Sequence, residues 1–266
     1  MTIELSPRAI ADGFQLLHVT RAESTNEAAL KAVQAGVDLF WVVADEQTMG
    51  RGRHGRSWAS PPGNLYASLG LHDPCPAAFS PLLGFVAGLS LAEAILAIAP
   101  GLKPVLHLKW PNDAQIDGAK LAGILLEGTT LGGGATGVAI GIGVNVAHFP
   151  EGLDQKATAL AAHIRNIDPA LLFDALSERM AGNLALFDRG AGFAAIRAGW
   201  LAHALPNGTP LRVKLPAGER HGRFAGIDPA GHLLLETGGP VETIMVGDVF
   251  PGDDLLSPEA AMRIVG

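Results

Sequence analysis

An α+β fold is expected for this chain of 266 residues, because two textures follow one another along it. Through about residue 205, short apolar or alternating runs read as strands and are interleaved with apolar stretches of helical length. Beyond Leu205-Pro206-Asn207-Gly208 only short strand-like runs and turn signals follow, Asp228-Pro229 and Gly238-Gly239 among them, as in a small all-β module. The boundary is therefore drawn between 1–205 and 206–266. Hydrophobic residues make up 48% of the chain and charged ones 17%, which supplies a sizeable core.

Phe14-Gln15-Leu16-Leu17-His18-Val19 reads as the first strand. Ser24 with Glu27 three residues later fits a capping box, and Ala28 to Ala35 followed by Gly36 supplies a short helix and its end. Ser24 and Thr25 then sit at a helix N-terminus, where hydroxyls and free backbone N–H groups can grip a small polar ligand or simply cap. Phe40-Trp41-Val42-Val43 is a buried strand within 38–44, and Asn64 to Leu71 alternates with period two as the next. From Ala77 to Leu102 the only charge is Glu93, which nearly meets the length and polarity of a membrane span. Ser80-Pro81 as a start, Ala99-Pro100-Gly101 as a stop, and Gly84, Gly88 and Ser90 between them point instead to a core helix near 81–98. Val105 to Trp110 alternates, Pro111 ends it, Asp117-Gly118 signals a tight hairpin, and Lys120 to Glu127 returns. Val138 to Val146 is the last strand of this part, with Gly141 and Gly143 on one face, leaving room for a flat ligand against the backbone. Residues 147–158 form a polar loop long enough for a substrate-ordered lid. Asp168-Pro169 opens a helix with Leu172, Leu176, Met180, Leu184 and Phe187 as core positions, and a second helix runs on to Trp200.

The densest chemical signal is Gly50-Arg51-Gly52-Arg53-His54-Gly55-Arg56-Ser57-Trp58. Arginines among glycines let guanidinium forks converge on an anion while the backbone approaches it closely. A solvated basic loop and an RGG-like nucleic-acid segment share that texture. A net charge of −7 disfavours general nucleic-acid binding, which rests on a basic surface. Lys120 stands in an otherwise apolar strand, either as a snorkelling surface lysine or as a cation meeting a carboxylate or phosphate. Asp113, beside Asn112, is either a turn residue or a group that could orient an attacking amine or support a metal through water. The single cysteine, Cys75, allows no intrachain disulfide and suits a reducing cytoplasm. The first dozen residues lack the basic and apolar regions of a targeting signal.

Together these residues resemble the biotin protein ligase family. The resemblance is carried by Ser24-Thr25-Asn26, by Gln47 with the loop at 50–58, and by Lys109-Trp110-Pro111-Asn112-Asp113. Lys120-Leu121-Ala122-Gly123-Ile124-Leu125 and Gly141-Ile142-Gly143-Val144-Asn145 complete it, in matching order and spacing. Met49 stands where the family often has a small residue, and His54 where it is often basic. The resemblance implies a mixed central sheet flanked by helices, the class II synthetase-like biotin–lipoate ligase fold, over a catalytic biotin- and ATP-binding part at 1–205. It also implies a small SH3-like β-barrel at 206–266, and the ligase-only form, since about thirteen residues precede the first strand.

The implied reaction joins biotin to a lysine of a carrier protein such as that of acetyl-CoA carboxylase. Biotin's carboxylate attacks the α-phosphate of ATP, delivered with Mg2+, to give biotinyl-5′-AMP, and the carrier lysine then displaces AMP. No tightly bound cofactor and no protein metal site are expected. Catalytic roles fall to Lys120, Arg53 and Asp113. Biotin binding falls to Ser24, Thr25, Asn26, Gln47, Gly50, Arg51, Gly52, Arg53, Lys120, Gly123, Gly141 and Gly143. ATP or adenylate binding falls to Arg53, Arg56, Trp58, Asn112 and Asn145. The expected partner is a biotin carrier domain, with no DNA and no membrane, for a cytoplasmic monomer or homodimer. A lipoate- or octanoate-type ligase or transferase on the same fold is the nearest alternative. A non-catalytic biotin-binding regulator is another.

Overall fold

The computed structural model describes residues 2–150, 155–216 and 218–252. Helix α1 (Pro7–Ala11) leads into β1 (Gln15–Ala22), α2 (Thr25–Gln34) and β2 (Phe40–Gln47). Next come β3 (Leu65–His72), α3 (Leu83–Ile98), β4 (Leu106–Lys109), β5 (Asp113–Ile116), β6 (Ala119–Thr130) and β7 (Thr136–Val144), then α4 (Pro169–Phe187) and α5 (Phe193–Ala202). The seven strands form one sheet in the order β1-β2-β3-β7-β6-β5-β4. β1 and β2 run parallel across the α2 connection, and every other neighbouring pair is antiparallel, so the sheet is mixed as expected.

Each face of the sheet is covered for a reason visible in its residues. On one face α2 buries Ala29 and Val33. Its approach is close because Gly70 and Gly137 lie beneath: a Cβ on either would stand 2.8 or 2.7 Å from a Val33 methyl. The Ser24 side chain caps Glu27 N at 3.4 Å, but Glu27 pairs with Lys31 at 2.8 Å instead of folding back, so only half of the expected capping box forms. The helix starts at Thr25, ahead of the apolar run that marked it.

On the other face α3 packs with α4 and α5 around Phe85, whose ring meets Trp200 and Phe193 edge-on at 5.3 and 5.4 Å. The stretch Ala77–Ile98 is long and apolar enough to cross a membrane, yet most of it lies inside the fold. Its polar groups are answered internally: Ser90 Oγ donates to Val86 O at 2.7 Å, and Asn183 of α4 donates to Ser90 and Glu93 at 3.1 and 3.0 Å. The α-helix begins at Leu83 and not at Pro81, which sits in a 3₁₀ turn over 77–82.

The remaining strands are β8 (Pro210–Leu215), β9 (Gly218–Ile227), β10 (Leu233–Glu236), β11 (Glu242–Ile244) and β12 (Asp248–Pro251). They form an antiparallel sheet in the order β11-β10-β9-β8-β12. Among the described residues β11 and β12 do not pair with each other, so the SH3-like unit is an open sheet, barrel-like only loosely. Its inward residues Leu211, Val213, Phe224, Ile227, Leu233 and Leu235 join the same apolar core as the large sheet.

Side chains of the larger part also donate to backbone carbonyls of the small sheet. Trp110 Nε1 reaches Gly231 O at 3.0 Å, Lys109 Nζ reaches Val249 O at 2.9 Å, and Arg197 Nε reaches Ile227 O at 2.7 Å. Trp110 is buried, so Trp110→Phe would leave the Gly231 carbonyl without this donor. The expected cost is about 1–3 kcal/mol, read as a lowered thermal midpoint. An unchanged midpoint would show that water replaces the indole.

Candidate functional site

A cavity of about 710 Å³ opens between β6, β7, the N-terminus of α2, the Arg-Gly loop and the edge of the small sheet. Nearly all residues expected to bind or react line it: Ser24, Thr25, Asn26, Gln47, Arg51, Gly52, Arg53, Arg56, Trp58, Asn112, Asp113, Lys120, Gly123, Gly141, Gly143 and Asn145. Gly50 stands behind it. A Cβ there would lie 2.6 Å from Ser60 Oγ and 2.7 Å from Trp58 O, so Gly50 permits the loop to close and does not face the cavity.

The floor is a continuous hydrogen-bond relay. Gln47 Oε1 accepts from Thr25 N and Thr25 Oγ1 at 2.9 and 3.0 Å, and Gln47 Nε2 donates to Ser60 Oγ at 3.1 Å. Ser60 Oγ in turn donates to Trp58 O at 2.9 Å. From Thr25 the relay also runs the other way, with Ser68 Oγ 2.7 Å from Thr25 Oγ1 and 2.6 Å from Asn26 Oδ1. Asn26 Nδ2 then donates to Glu127 Oε2 at 2.7 Å, and Glu127 faces Arg51 at 3.8 Å. Ser24 is the cap of α2 and Thr25 its first residue, and both line the cavity. Ser60, Ser68 and Glu127 are members that sequence reasoning does not single out. Ser68 and Glu127 lie on strands whose alternation marks which face they share, but not what they meet.

The slot expected over Gly141 and Gly143 is already filled by the protein. A Cβ on Gly141 would fall 2.3 Å from Asn26 Oδ1, and one on Gly143 would fall 2.8 Å from the Trp58 indole. A Cβ on Gly123, which pairs with Gly143 across β6 and β7, would fall 3.1 Å from the same indole. The flat group against the backbone is therefore Trp58, because glycine makes room for whichever ring arrives. Trp58 Nε1 is buried there without a hydrogen-bond partner among the described residues.

The arginines do not converge unpaired on the cavity, as the loop's composition alone suggests. Arg53 donates to Asn112 Oδ1 and to Gly247 O, both at 3.3 Å, and pairs with Asp248 Oδ1 at 3.4 Å. Arg56 pairs with the other oxygen of Asp248, and His54 Nε2 lies 3.7 Å from Asp248 Oδ1 as well. The loop is shaped as a tight hairpin: Trp58 N donates to Gly50 O at 2.9 Å and Gly52 N to Arg56 O at 2.7 Å, while His54 takes φ 56° and Gly55 φ 70°. Asp248 comes from β12, far along the chain, and nothing near it in sequence marks it.

The charge centre is a carboxylate between two ammonium groups. Asp113 Oδ1 lies 2.6 Å from Lys120 Nζ, and its Oδ2 lies 3.1 Å from Lys109 Nζ. Burial works to raise the Asp113 pKa, but Lys120 and then Lys109 outweigh it and hold the carboxyl below its usual range. Burial depresses the Lys109 ammonium, with Asp113 opposing. So Lys120 is neither a free surface lysine nor an unpaired cation, and Asp113 is not merely a turn residue. Lys120 Nζ also stands 5.5 Å from the Trp58 ring centroid.

Asn112 and Asn145 line the cavity while bracing its walls. Asn112 Nδ2 donates to Ile124 O at 2.8 Å, and Asn145 Nδ2 to Thr158 O at 3.0 Å. The expected lid is partly held: Lys120 N donates to Lys156 O at 2.8 Å and Thr158 N to Lys120 O at 2.9 Å. Residues 151–154 of that stretch lie outside the described residues.

Two family models match the chain, the Biotin/lipoate A/B protein ligase family over residues 19–145 and the Biotin protein ligase C terminal domain over residues 208–252. A biotin–acetyl-CoA-carboxylase ligase of Paracoccus denitrificans is 39% identical over 240 residues, covering 88% of this chain and 99% of that protein. The enzyme of the same name from Mycobacterium tuberculosis is 34% identical, with 88% of each chain covered. Among solved structures, the biotin protein ligase of Aquifex aeolicus in complex with biotin and ATP is similar at a TM-score of 0.73 and 29% identity, covering 88% of this chain and 97% of that one. With a relative this similar matched over nearly its whole length, and with both family models in the expected order, the chain belongs to the biotin protein ligase family.

Proposed function

We propose that this chain is an ATP-dependent ligase that activates biotin as biotinyl-5′-AMP and transfers it to a lysine of a biotin carrier domain. The observation that carries this is one cavity holding both a polar floor and a cationic wall. Thr25, Gln47 and Asn26 line it and offer polar groups for a ureido ring, with the buried Ser68 bracing Thr25 and Asn26 from behind. Lys120, Arg53 and Arg56 line the same cavity and carry the positive charge needed to bring a carboxylate and a phosphate together against their mutual repulsion.

In the first step an oxygen of biotin's carboxylate bonds to the α-phosphorus of ATP, and pyrophosphate leaves with the electron pair of the broken P–O bond. Mg2+ enters with the triphosphate as part of the substrate. Lys120 and Arg53 offset the charge that builds up on the transferring group, and Trp58 stacks against the adenylate. In the second step the carrier lysine's neutral amine attacks the acyl carbon, the acyl–oxygen bond to AMP breaks with its electron pair leaving on AMP, and the amine gives up one proton to solvent as the amide forms. Asp113, held ionised at neutral pH, orients that amine. No covalent enzyme intermediate is needed. Holding the two reactants in fixed geometry supplies several kcal/mol of effective molarity. The partner is a carrier domain, with no role for DNA or membrane, and the chain works in the cytoplasm as a monomer or homodimer.

Residues 206–266 act as a second unit that completes the site, since Asp248, Gly247 O and Val249 O all belong to it. A chain ending near Pro206 should lose carrier biotinylation and, because Leu211, Val213, Phe224 and Leu233 share the core of the larger part, melt at a lower temperature. Full labelling of the carrier by residues 1–206 would rule this out.

Biotin-dependent labelling of a purified carrier domain with ATP tests the proposal, with lipoate in place of biotin as the comparison. Labelling with lipoate but not biotin would overturn it. Lys120→Ala should keep the fold and slow pyrophosphate release by about 10²-fold, because charge stabilisation in the transition state is lost. Near-normal release would remove Lys120 from the chemistry.

Arg53→Gly should act on the intermediate. Biotinyl-5′-AMP is a mixed anhydride, reactive toward any amine, so carrier selectivity depends on retaining it. Losing one charge-assisted hydrogen bond should raise its off-rate roughly 10- to 100-fold while Arg51, Arg56 and Lys120 still permit its formation. The measurement is biotin transfer to an unrelated lysine-rich protein beside wild type. A variant that stays carrier-selective, with no faster release, would confine Arg53 to the first step.

A further inference from the structure

The hydrogen bonding around Lys109 points to a role that the Lys120 reading leaves open. Lys109 ends β4 and is 4% exposed, and among the described residues its ammonium pairs with Asp113 Oδ2 at 3.1 Å and donates to the Val249 carbonyl at 2.9 Å. Asp113 is 8% exposed and has two cations, Lys109 and Lys120. The two lysines differ in access. Lys120's side chain is 25% exposed and Lys109's is 5% exposed, so Lys120 is the one able to turn toward an incoming anion.

We infer that Lys109 is a positioning residue that keeps Asp113 neutralised when Lys120 leaves it for the substrate's carboxylate or phosphate. A buried carboxylate stripped of its only cation is strongly disfavoured, so without Lys109 the pull of Asp113 on Lys120 competes with the substrate. With Lys109 in place Asp113 retains a partner throughout, and Lys120 is released at little cost. Because the same ammonium holds Val249 O, the seating of β12 also fixes where that second cation stands. This rests on the proposed biotin-activating reaction.

The test is a double-mutant cycle on the full chain, with Lys109→Gln, Asp113→Asn and the pair. Glutamine retains an N–H donor for Val249 O while removing the charge. Two quantities are measured: affinity for a non-hydrolysable biotinyl-5′-AMP analogue, which needs no turnover, and the kcat and KM of pyrophosphate release. Lys109→Gln should weaken analogue binding by about 10²-fold when Asp113 is intact, and by less than about threefold in the Asp113→Asn background. With Asp113 intact kcat should fall by a similar factor with the KM for biotin little changed, and Lys109→Arg should recover most of it. Thermal unfolding of each variant checks folding, and should Lys109→Gln be unfolded, Lys109→Met is put through the same cycle. Equal losses in both backgrounds, or none, would overturn the inference and leave Lys109 as a bracket for β12. If wild type forms no biotinyl-5′-AMP, the proposed function falls first, which is a separate and distinguishable result.

Discussion

The site depends on one electrostatic arrangement, the Asp113 carboxylate shut between the ammonium groups of Lys109 and Lys120 at 3.1 and 2.6 Å. A charge this far from water persists only while it is paired, and here the pairing outweighs burial and holds the carboxyl ionised. The three residues come from one local unit, since Lys109 ends β4, Asp113 begins β5, and Lys120 stands at the start of β6 across the Asp117-Gly118 turn. The same unit pairs Asp113 with Gly123, whose lack of a side chain admits Trp58 beside the charge centre. Charge, turn and ring are therefore placed by a single stretch of antiparallel sheet.

Around that centre the polar groups are mostly committed to one another. Gln47, Thr25, Ser68 and Asn26 form a relay ending on Glu127, and Arg53 and Arg56 share Asp248. Such a network fixes the walls of the cavity, so a ligand has to compete for groups that already have partners, Lys120 on Asp113 among them. It also makes the small sheet part of the cavity's lining. β12 carries the Asp248 carboxylate, and the adjoining Gly247 carbonyl accepts from Arg53. The strand is a wall of the cavity as much as a member of its own sheet.

Much of this is legible in the residues. The strand read from Asn64 to Leu71, the Asp117-Gly118 turn and the Ser24 cap each reappear in the structure within a residue or so, although the strand is buried on both faces and not alternately. The arginines and glycines of the loop at 50–58 predict an anion-binding element, and the loop does border the cavity. The difference lies in what those residues meet. Gly141 and Gly143 suggest room for a ligand, whereas Asn26 and Trp58 occupy that room. Lys109 stands in sequence only as part of a motif, although it holds the second oxygen of the carboxylate that Lys120 also grips.

The sequence by itself determined the elements, the hairpin and the inventory of reactive groups, because periodicity, caps and turn residues act over a few positions of chain. Only the tertiary structure decided the partners. Asn26 meets Glu127 across 101 residues and Arg56 meets Asp248 across 192, and both pairings follow from strand order and from how the small sheet seats on Lys109 and Trp110. No local signal encodes such a meeting, since a carboxylate on a strand looks the same in sequence whether it faces water or a guanidinium brought from the far side of the fold.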